Sequence, residues 1–373
     1  MKSNKCKILY LALEMDIGGL QRVVNLLIRK INKDKFIPYL CCLDRGGIFF
    51  DQLDEKSVIK YILGRRPGKF DLKMFGKLVR IIKDNRIDII HSQNGCSAYS
   101  ALAGRLTEVK AIIHTDHGRL IPDRQTAILE DRFASHLMDH VVGVSAALTK
   151  YLAETVKINK RKLVTIINGI EIAKYEKLIP EHKRRRKTEL GYEADTMIIG
   201  TVCRLDKIKN LDLLIAIVPK MAREMPNCRV VIIGDGPEEN HLKELACRLQ
   251  VQSKVDFLGR IEDVGKILPI YDLFVNTSHS EGTSMTIVEA MSCSLPIVAS
   301  AVGGNVELLD QSNGVLFEPG NKDEFEEIVL DLIKDTSRLE RMGYESRKKV
   351  ERNLSIERAV EQYENLYSKH FSN

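Results

Sequence analysis

The chain has 373 residues, of which 44% are hydrophobic and 29% are charged, and its formal net charge is +6. This length and composition predict a soluble chain of two domains, and no run of about 18 to 20 apolar residues predicts a membrane span. Residues 1–170 contain 29 Lys and Arg against 17 Asp and Glu, while the remaining 203 contain 28 against 34. The basic first half suggests an anionic partner, such as a lipid headgroup surface or a phosphorylated acceptor. Nucleic acid is not expected as a partner, because no aromatic residues are interleaved with the basic ones.

The N-terminal stretch MKSNKCKILYLALEMDIGG starts with basic residues and an apolar run, so a signal peptide and a buried strand are both considered. The run stops at Glu14 after about eight residues and lacks a small-x-small cleavage site, which favours the strand. Short β-branched runs then alternate with longer amphipathic stretches as far as KLVTIING. This alternation is typical of parallel βαβ units and predicts a first doubly wound, Rossmann-like domain over residues 1–170.

A polar, charge-dense segment over residues 171–195 has no strand character and predicts the interdomain connection. A second alternating series, from MIIGTVCR to GVLFEP, predicts another Rossmann-like domain over residues 196–354. The tail has a helical pattern, and its last helix, at about residues 355–373, could pack back on the first domain. The predicted fold class is therefore α/β with two doubly wound domains.

The eight cysteines are scattered and form no C-x-x-C pair. We therefore expect buried free thiols in a reducing cytoplasm. The sequence contains no D-x-D or H-E-x-x-H spacing, so no metal site is predicted.

Candidate functional residues follow the predicted strands, because ligands of open parallel sheets bind beyond the carboxyl ends of the strands. Gly18 and Gly19 follow the first strand and precede a helix, which fits either an anion site or an ordinary glycine turn. They do not form G-x-G-x-x-G, so the dinucleotide fingerprint is missing. His117 follows the fifth strand, and this position is what distinguishes it from the many histidines that are only packed or solvated. Ser145 in GVSAA is interpreted as a helix N-cap.

In the second domain, Arg204 closes an apolar strand and Lys209 opens a helix in CRLDKIKNL. These positions suit a clamp on phosphates from two sides, although a solvated charge run has the same pattern. The turn GDGP at 234–237 has two glycines of a fingerprint but no third.

The stretch SHSEGTSMTIVEAMS contains two glutamates, Glu281 and Glu289, eight residues apart. A helix could begin near Thr283 or Ser284, whose hydroxyl can cap the first backbone donors. Glu281 would then lie in the loop and Glu289 one to two turns into the helix. Two carboxylates are therefore predicted near one helix N-terminus.

Taken together, these motifs resemble the retaining GT-B glycosyltransferases of the family 4 (group 1) type, over nearly the whole chain. The signature comprises Gly-Gly after the first strand, NGI at 168–170, Arg204 with Lys209, GDGP, VDFLG and SEGTSMTIVEAM, of which the E-x7-E spacing is the most specific part. The resemblance implies two Rossmann-like domains facing across a cleft, the first on the acceptor side and the second binding a nucleotide sugar. It also implies hexosyl transfer with retention from a UDP-sugar, favoured over a GDP-sugar, without a metal or other cofactor.

The resemblance further implies roles for individual residues. Arg204 and Lys209 would hold the donor diphosphate, Glu281 would contact donor-sugar hydroxyls, Glu289 would accept hydrogen bonds from the ribose, and His117 would face the reacting sugar. The residues expected to act in catalysis are His117, Arg204, Lys209 and Glu281, and those expected to bind the donor are Gly18, Gly19, Arg204, Lys209, Gly282, Thr283, Ser284, Met285 and Glu289. Thr283 and Ser284 depart from many relatives, which leaves the donor sugar open.

The acceptor is expected to be a lipid-linked or cell-surface polysaccharide intermediate. In FDLKMFGKLVRIIKDNR, basic residues flank an apolar face, which fits a sheet-covering helix or a helix that docks on an anionic membrane. The basic residues are Lys73, Lys77, Arg80 and Lys83, and the apolar ones are Phe70, Phe75, Leu78 and Ile82. With docking, this cytoplasmic chain would be peripheral on the inner face of the plasma membrane.

Three other functions remain open at this stage. A nucleotide-sugar 2-epimerase shares the architecture but would not be expected to carry the Arg-Lys pair with E-x7-E. An NAD-dependent oxidoreductase is disfavoured by the failed fingerprints and by the lack of an acid about 20 residues after the first glycines. A non-enzymatic subunit would be expected to have lost Arg204, Lys209 or Glu289, and all three are present.

Overall fold

The computed structural model describes residues 5–66, 70–118 and 123–371. It divides into two compact units, the first formed by Met1–Gly169 with Ile356–Asn373 and the second by Ile170–Ser355. Each unit contains one all-parallel sheet with helices between its strands. The predicted α/β class with two doubly wound sheets is confirmed.

The first sheet has seven strands in the order β3-β2-β1-β4-β5-β6-β7. Chain order reverses between the paired strands β1 and β4, which makes this position the topological switch point of the sheet. The strands are β1 Cys6–Ala12, β2 Phe36–Cys42, β3 Ile59–Ile62, β4 Ile89–Gln93, β5 Ala111–Asp116, β6 His140–Gly143 and β7 Leu163–Thr165. The strand predicted at the N-terminus is therefore present as β1.

The helices of the first unit cover the two faces of this sheet. They are α1 Gly19–Lys30, α2 Ile48–Asp51, α3 Leu72–Asn85, α4 Ser97–Thr107, α5 Gln125–Leu137 and α6 Ala146–Glu154. Apolar side chains of α3 to α6 pack in one core cluster, whereas those of α1 pack in another. The helices that follow β1 and β4 therefore cover opposite faces, and the sheet edge between them is where a ligand can bind.

Local sequence signals explain where individual helices begin and end. The carboxylate of Asp71 accepts a hydrogen bond from Met74 N at 2.9 Å and caps α3, and Arg86, at φ +51, ends it. Met74, Leu78 and Ile82 recur every four residues and are buried in the core. Ser145 caps α6 through a bond from Leu148 N, as the sequence predicts.

The second sheet has six strands in the order β10-β9-β8-β11-β12-β13, with its switch point between the paired strands β8 and β11. The strands are β8 Met197–Val202, β9 Cys228–Ile233, β10 Val255–Phe257, β11 Leu273–Asn276, β12 Ile297–Ser300 and β13 Gly314–Phe317. The helices are α7 Pro180–Glu189, α8 Leu211–Glu224, α9 Glu239–Arg248, α10 Met285–Ser292, α11 Asn305–Leu308, α12 Lys322–Leu332 and α13 Thr336–Asn353.

The segment 171–195, which the sequence suggests as a connection, clusters with the second unit and contains α7. Lys187 of α7 is buried and donates to Asp272 Oδ2 and to Thr196 O, both at 2.7 Å. Lys183, one turn earlier, pairs with the other oxygen of Asp272 at 2.7 Å. One half-buried carboxylate, which also accepts from Ile198 N, thus fixes this helix to the amino ends of β8 and β11.

The last helix, α14 (Ile356–Phe371), belongs to the first unit. The hydroxyl of Tyr367 lies 2.7 Å from Nδ1 of His91 in β4 and 3.4 Å from the hydroxyl of Tyr10 in β1. The other ring nitrogen of His91 lies 2.7 Å from the hydroxyl of Thr115 in β5. Burial, followed by the nearby His117 and His114, lowers the pKa of His91 well below its usual value. A neutral, fully paired histidine therefore connects α14 to three central strands.

Replacing Tyr367 by Phe should lower the free energy of unfolding by about 1–3 kcal/mol, because His91 Nδ1 would remain buried without its partner. Urea unfolding of Tyr367→Phe measures this change. Tyr344→Phe is the control, since Tyr344 is exposed and should lose little. Equal losses in the two variants would contradict a specific role of the hydroxyl in α14 docking.

Candidate functional site

The switch point of the second sheet brings together the predicted Arg204, Lys209 and Glu281 segments. Arg204 follows β8 by two residues, and Lys209 ends the short 3-10 helix Lys207–Lys209. Glu281 lies in the loop between β11 and α10. Because β8 and β11 are paired and parallel, their carboxyl ends lie side by side at one edge.

Lys209 and Glu281 form an ion pair at this edge. Nζ of Lys209 lies 2.7 Å from Oε1 of Glu281, and the two side chains are only 21% and 10% exposed. Burial works to lower the pKa of Lys209, but the charge of Glu281 and its hydrogen bond outweigh this effect and raise the pKa above its usual value. The ammonium is therefore a fixed positive charge in a largely desolvated position.

The same carboxylate oxygen accepts two further hydrogen bonds. Ser278 Oγ donates to Glu281 Oε1 at 2.6 Å, and Asn276 Nδ2 donates to it at 3.1 Å. Within the described chain none of these bonds goes to Oε2, so this is the oxygen that remains for a ligand hydroxyl. Glu281 is therefore held in one orientation by three donors.

Asn276, the last residue of β11, links the parts of this site and was not singled out from the sequence. Its Nδ2 reaches Ser284 Oγ at 3.4 Å as well as Glu281, and its Oδ1 accepts from Ser278 N and from Asn305 Nδ2, each at 3.3 Å. A polar residue at the end of the apolar strand LFVN was the available signal. Its partners, however, lie on two segments of the sequence, the 278–284 loop and Asn305.

A glycine pair after β12 also supports the loop and was missed. Gly303 has φ +48, and a Cβ at that position would lie 1.8 Å from the carbonyl oxygen of Glu281. Gly304 donates its N–H to Gly282 O at 2.7 Å. The two backbones approach so closely that there is no space for a side chain at either glycine. The pair therefore fixes the position of the Glu281–Gly282 turn.

Helix α10 begins at Met285 with Ser284 as its N-cap residue, close to the predicted start. The predicted capping by the Ser284 hydroxyl is wrong, because Oγ bonds instead with Asn276 and Thr286. The buried amide of Asn276 competes with the first-turn N–H groups of α10 for the Ser284 hydroxyl, and Oγ accepts from Asn276 Nδ2. Without a cap from Ser284, the first-turn N–H groups of α10 are suited to an anion, and Thr283 lies just before this turn.

Glu289 lies in the second turn of α10, as predicted, and is only 3% exposed. It is thus a buried carboxylate eight residues beyond Glu281. Its ribose-binding role remains a prediction.

Arg204 has an exposed side chain, 73% accessible, whose ion pair is a long one of 3.9 Å to Asp206. The loop that carries Arg204, after β8, packs against the GDGP turn at 234–237. Gly234 has φ +135, and a Cβ there would lie 1.8 Å from Cys203 O, while Leu205 N donates to Asp235 O at 2.8 Å. The GDGP glycines therefore hold the Arg204 loop in place, and the structure gives Arg204 no contact with Lys209 or Glu281.

In the first unit, Gly18 is the N-cap residue of α1 and Gly19 its exposed first residue. A glycine N-cap has no side chain to bind the first-turn N–H groups, which is the arrangement of an anion site. Gly18 has φ −177, which any residue adopts, and a Cβ would meet only the movable Oε1 of Gln21. The backbone of the isolated unit therefore does not itself require this glycine.

His117 lies just beyond β5, at the carboxyl edge of the first sheet. Its Nε2 is 2.8 Å from Oε1 of Gln93, and its backbone N–H donates to Oδ1 of Asn94 at 2.7 Å. Burial, followed by the nearby His114, lowers the pKa of His117 to about 3. The imidazole is therefore neutral near pH 7. Gln93 and Asn94 were not singled out from the sequence, although they end the strand next to β5.

No cluster of three or more His, Cys, Asp or Glu that could hold a metal ion occurs among residues 5–66, 70–118 and 123–371. Over the same ranges, no helix has the length and apolarity needed to span a bilayer. The eight cysteines are all free thiols, and all but Cys203 and Cys247 are buried.

Two family models match nearly adjoining parts of the chain. The model described as Glycosyltransferase Family 4 matches residues 17–174, and the model described as Glycosyl transferases group 1 matches residues 182–349. The chain belongs to the group 1, family 4 glycosyltransferases. The predicted family 4 (group 1) membership is thereby confirmed, whereas retention of configuration stays a prediction.

Curated relatives match this family 4 chain over most of its length. It is 27% identical over 321 residues to the N-acetyl-alpha-D-glucosaminyl L-malate synthase of Bacillus anthracis, covering 84% of this chain and 82% of that protein. It is 26% identical over 384 residues to the UDP-Gal:alpha-D-GlcNAc-diphosphoundecaprenol alpha-1,3-galactosyltransferase of Escherichia coli, covering 98% of each.

Solved structures share the fold. HepE of Anabaena in complex with UDP superposes with a TM-score of 0.86 over 97% of this chain and 100% of that one, at 23% identity. Sucrose-phosphate synthase of Thermosynechococcus elongatus superposes with a TM-score of 0.80 over 99% and 100%, at 17% identity. The fold is therefore the predicted GT-B fold of two Rossmann-like domains.

Replacing Gly303 by Ala should destabilise the second unit and disturb the Glu281 turn, because the new methyl group would clash with Glu281 O at a positive φ. A loss of about 1–3 kcal/mol in the free energy of unfolding is expected, measured by urea denaturation. The control is Gly76→Ala in the middle of α3, where nothing lies within 4 Å of the new Cβ. That change should stabilise by about 0.5–1 kcal/mol, and a neutral Gly303→Ala variant would contradict the close-approach argument.

Proposed function

We propose that this chain is a glycosyltransferase that moves a hexosyl group from a nucleoside-diphosphate sugar, with a UDP-sugar favoured, to a lipid-linked or cell-envelope acceptor with retention of configuration. The observation that carries the proposal is the fixed Lys209–Glu281 pair beside the exposed Arg204 at the switch point of the second sheet. Two cations, a carboxylate and an uncapped helix start are the groups that a nucleotide sugar needs. The family membership supports the same reaction class.

The cations would serve the leaving diphosphate. As the bond between the sugar C1 and the diphosphate oxygen breaks, negative charge grows on that oxygen, and a fixed ammonium and a helix N-terminus stabilise it without reorganising. Lys209 is already oriented by Glu281, whereas Arg204 is free to close on a phosphate. The expected absence of a metal rests on these charges, since they supply the neutralisation that a divalent ion would give.

The glutamates would bind the two ends of the donor. Glu281 presents Oε2 to a sugar hydroxyl while its Oε1 is held by Lys209, Ser278 and Asn276. The buried carboxylate of Glu289, in the second turn of α10, suits the ribose hydroxyls. Retention would follow if the acceptor oxygen bonds to C1 on the face that the diphosphate leaves, with the acceptor proton passing to the departing phosphate oxygen.

The donor base and the acceptor class are proposed from relatives. HepE of Anabaena is solved with UDP and with UDP-glucose. The Escherichia coli relative is named for a UDP-galactose donor and a diphosphoundecaprenol-linked acceptor, and the Bacillus anthracis relative for a malate-linked glucosaminyl product. A uridine nucleotide is named for HepE and for the Escherichia coli relative, whereas the two curated relatives are named for different acceptors.

At about one hundred times its dissociation constant, UDP should raise the free energy of unfolding by roughly 2.7 kcal/mol, an increase measurable as a thermal shift with and without EDTA. Lys209→Met and Arg204→Ala should lose most of this shift, because each removes a cation from the diphosphate. Lys207→Met, at the first residue of the same short helix, should keep this shift and serves as the control. The shift is compared within each variant, so a general loss of stability does not affect it.

Three results would contradict the proposal. A shift with NAD but not with UDP or GDP would favour an oxidoreductase. Conversion of a UDP-sugar to its 2-epimer, with no acceptor present, would favour a 2-epimerase. An unchanged UDP shift in Lys209→Met would remove the proposed diphosphate site.

We also propose that the first unit docks on an anionic membrane, where a lipid-linked acceptor would lie. The apolar side of α3 cannot do this, because Met74, Leu78 and Ile82 are buried in the core. Its opposite side is exposed and basic, at Lys73, Lys77, Arg80 and Lys83. The neighbouring α4 and α5, with the first turn of α3, expose large apolar side chains, namely Leu72, Leu106, Leu129 and Phe133, each at least 59% exposed. Basic and apolar groups together suit an anionic bilayer surface.

Vesicles with anionic lipid should retain the chain at low salt and release it as salt is raised, whereas neutral vesicles should not retain it. The double variant Lys73→Glu with Lys77→Glu should lose retention, at about 1 kcal/mol per removed charge or more. Lys160→Glu with Arg161→Glu makes the same charge change at exposed positions before β7 and is the control. Equal loss in both variants would indicate a net-charge effect and would overturn the assigned surface.

A further inference from the structure

Two consecutive residues at the end of β4, Gln93 and Asn94, hold His117. Gln93 Oε1 lies 2.8 Å from the ring Nε2, and Asn94 Oδ1 accepts from the backbone N–H of His117 at 2.7 Å. Asn94 Nδ2 also donates to Gly118 O at 3.0 Å. Both the ring and the backbone of His117 are therefore fixed from the neighbouring strand.

The contact with Gln93 decides which ring nitrogen carries the proton. A carbonyl oxygen only accepts hydrogen bonds, so Nε2 must be the donor, and a neutral imidazole then has an unprotonated Nδ1. Nδ1 is buried and has no partner within the described part of the chain. His117 therefore offers a hydrogen-bond acceptor, and no donor, to anything that meets Nδ1.

Stability alone does not account for Gln93. The residue is 2% exposed, and its Nε2 is buried without a partner among residues 5–66, 70–118 and 123–371. An unsatisfied buried amide lowers the stability of a protein, and an apolar side chain of the same shape would avoid this loss. What the amide provides in this position is its bond to His117.

We propose that Gln93 is a positioning residue that holds His117 neutral, as the Nε2–H tautomer, so that Nδ1 accepts a hydrogen bond from a substrate hydroxyl. The consequence for catalysis rests on the proposed transferase function, whereas the tautomer does not. Nδ1 is covered by protein in this conformation, so a substrate hydroxyl reaches it only after a local movement. Gln93 acts through His117 and is not itself expected to contact the reacting atoms.

The tautomer can be measured directly on the full chain labelled with ¹⁵N-histidine, by long-range ¹H–¹⁵N NMR at pH 7, with His117→Asn to assign the signals. Wild type should show His117 protonated at Nε2 only. Gln93→Met should lose this state in favour of a tautomer mixture, and Gln93→Glu should give an imidazolium, because a carboxylate at 2.8 Å stabilises the charge. Gln52→Met, an exposed site in the same unit, should change nothing.

The kinetic arm measures UDP release from UDP-glucose with water as the acceptor, so that the products are UDP and glucose. Gln93→Met should lower kcat about tenfold to a hundredfold, the range known for partners that orient metal-bound histidines. Its melting midpoint should stay close to that of wild type, because the variant removes an unsatisfied buried amide but leaves His117 Nε2 without its acceptor. Combined with His117→Asn, it should cause no further loss, because it acts only through that ring. Gln52→Met should keep the wild-type kcat.

Observation of the Nδ1–H tautomer in wild type, or an unchanged tautomer in Gln93→Met, would overturn the inference. So would an additive loss in the double variant. Absence of UDP release by wild type would count against the proposed function alone, because the NMR result does not depend on turnover.

Discussion

Parallel strands place all of their carboxyl ends at one edge of a sheet, and this constraint determines where each unit can carry chemistry. In each sheet, chain order reverses between two neighbouring strands, β1 and β4 in the first unit and β8 and β11 in the second. From these two strands the chain crosses over in opposite directions along the sheet. Because βαβ crossovers are right-handed, the two connecting helices cover opposite faces, and neither covers the space between the ends of the two strands. The predicted site residues lie along the carboxyl edges of the two sheets. A polar side chain in a loop at such an edge does not have to be packed in the core.

The two edges differ in their electrostatics. The second unit concentrates fixed charge, with the Lys209 ammonium held against a carboxylate that three donors orient. Removing either partner would leave a buried charge without compensation, which is why such pairs define a geometry more than they add stability. The first unit instead presents a neutral imidazole, because burial outweighs any tendency of His117 to protonate. A leaving diphosphate requires the first kind of site, and a hydroxyl that must be oriented without added positive charge suits the second.

The sequence predicted the fold and the strand-end motifs because these depend on local patterns. Alternating apolar runs identified the two sheets, and Glu281 and Glu289 occupy the predicted loop and second helical turn. The supporting residues were missed because they contact residues distant in sequence. Asn276 accepts a hydrogen bond from Asn305, 29 positions away. Gly303 is required because a Cβ at that position would lie 1.8 Å from the carbonyl oxygen of Glu281. The same reason explains the error at Ser284, whose hydroxyl bonds with Asn276 instead of capping α10.

The GDGP turn shows how a motif with a weak local signal acquires a role from packing. Taken alone it resembles part of a dinucleotide fingerprint, but Gly234 has no room for a side chain because Cys203 O occupies that space. The glycine thereby brings the turn after β9 against the loop after β8, and the bond from Leu205 N to Asp235 O fixes the backbone on the C-terminal side of Arg204. The guanidinium group of Arg204 can then be exposed and movable while the backbone that carries it is held in place. A cation of this kind can follow a phosphate group as charge develops, while Lys209, held by Glu281, keeps its place.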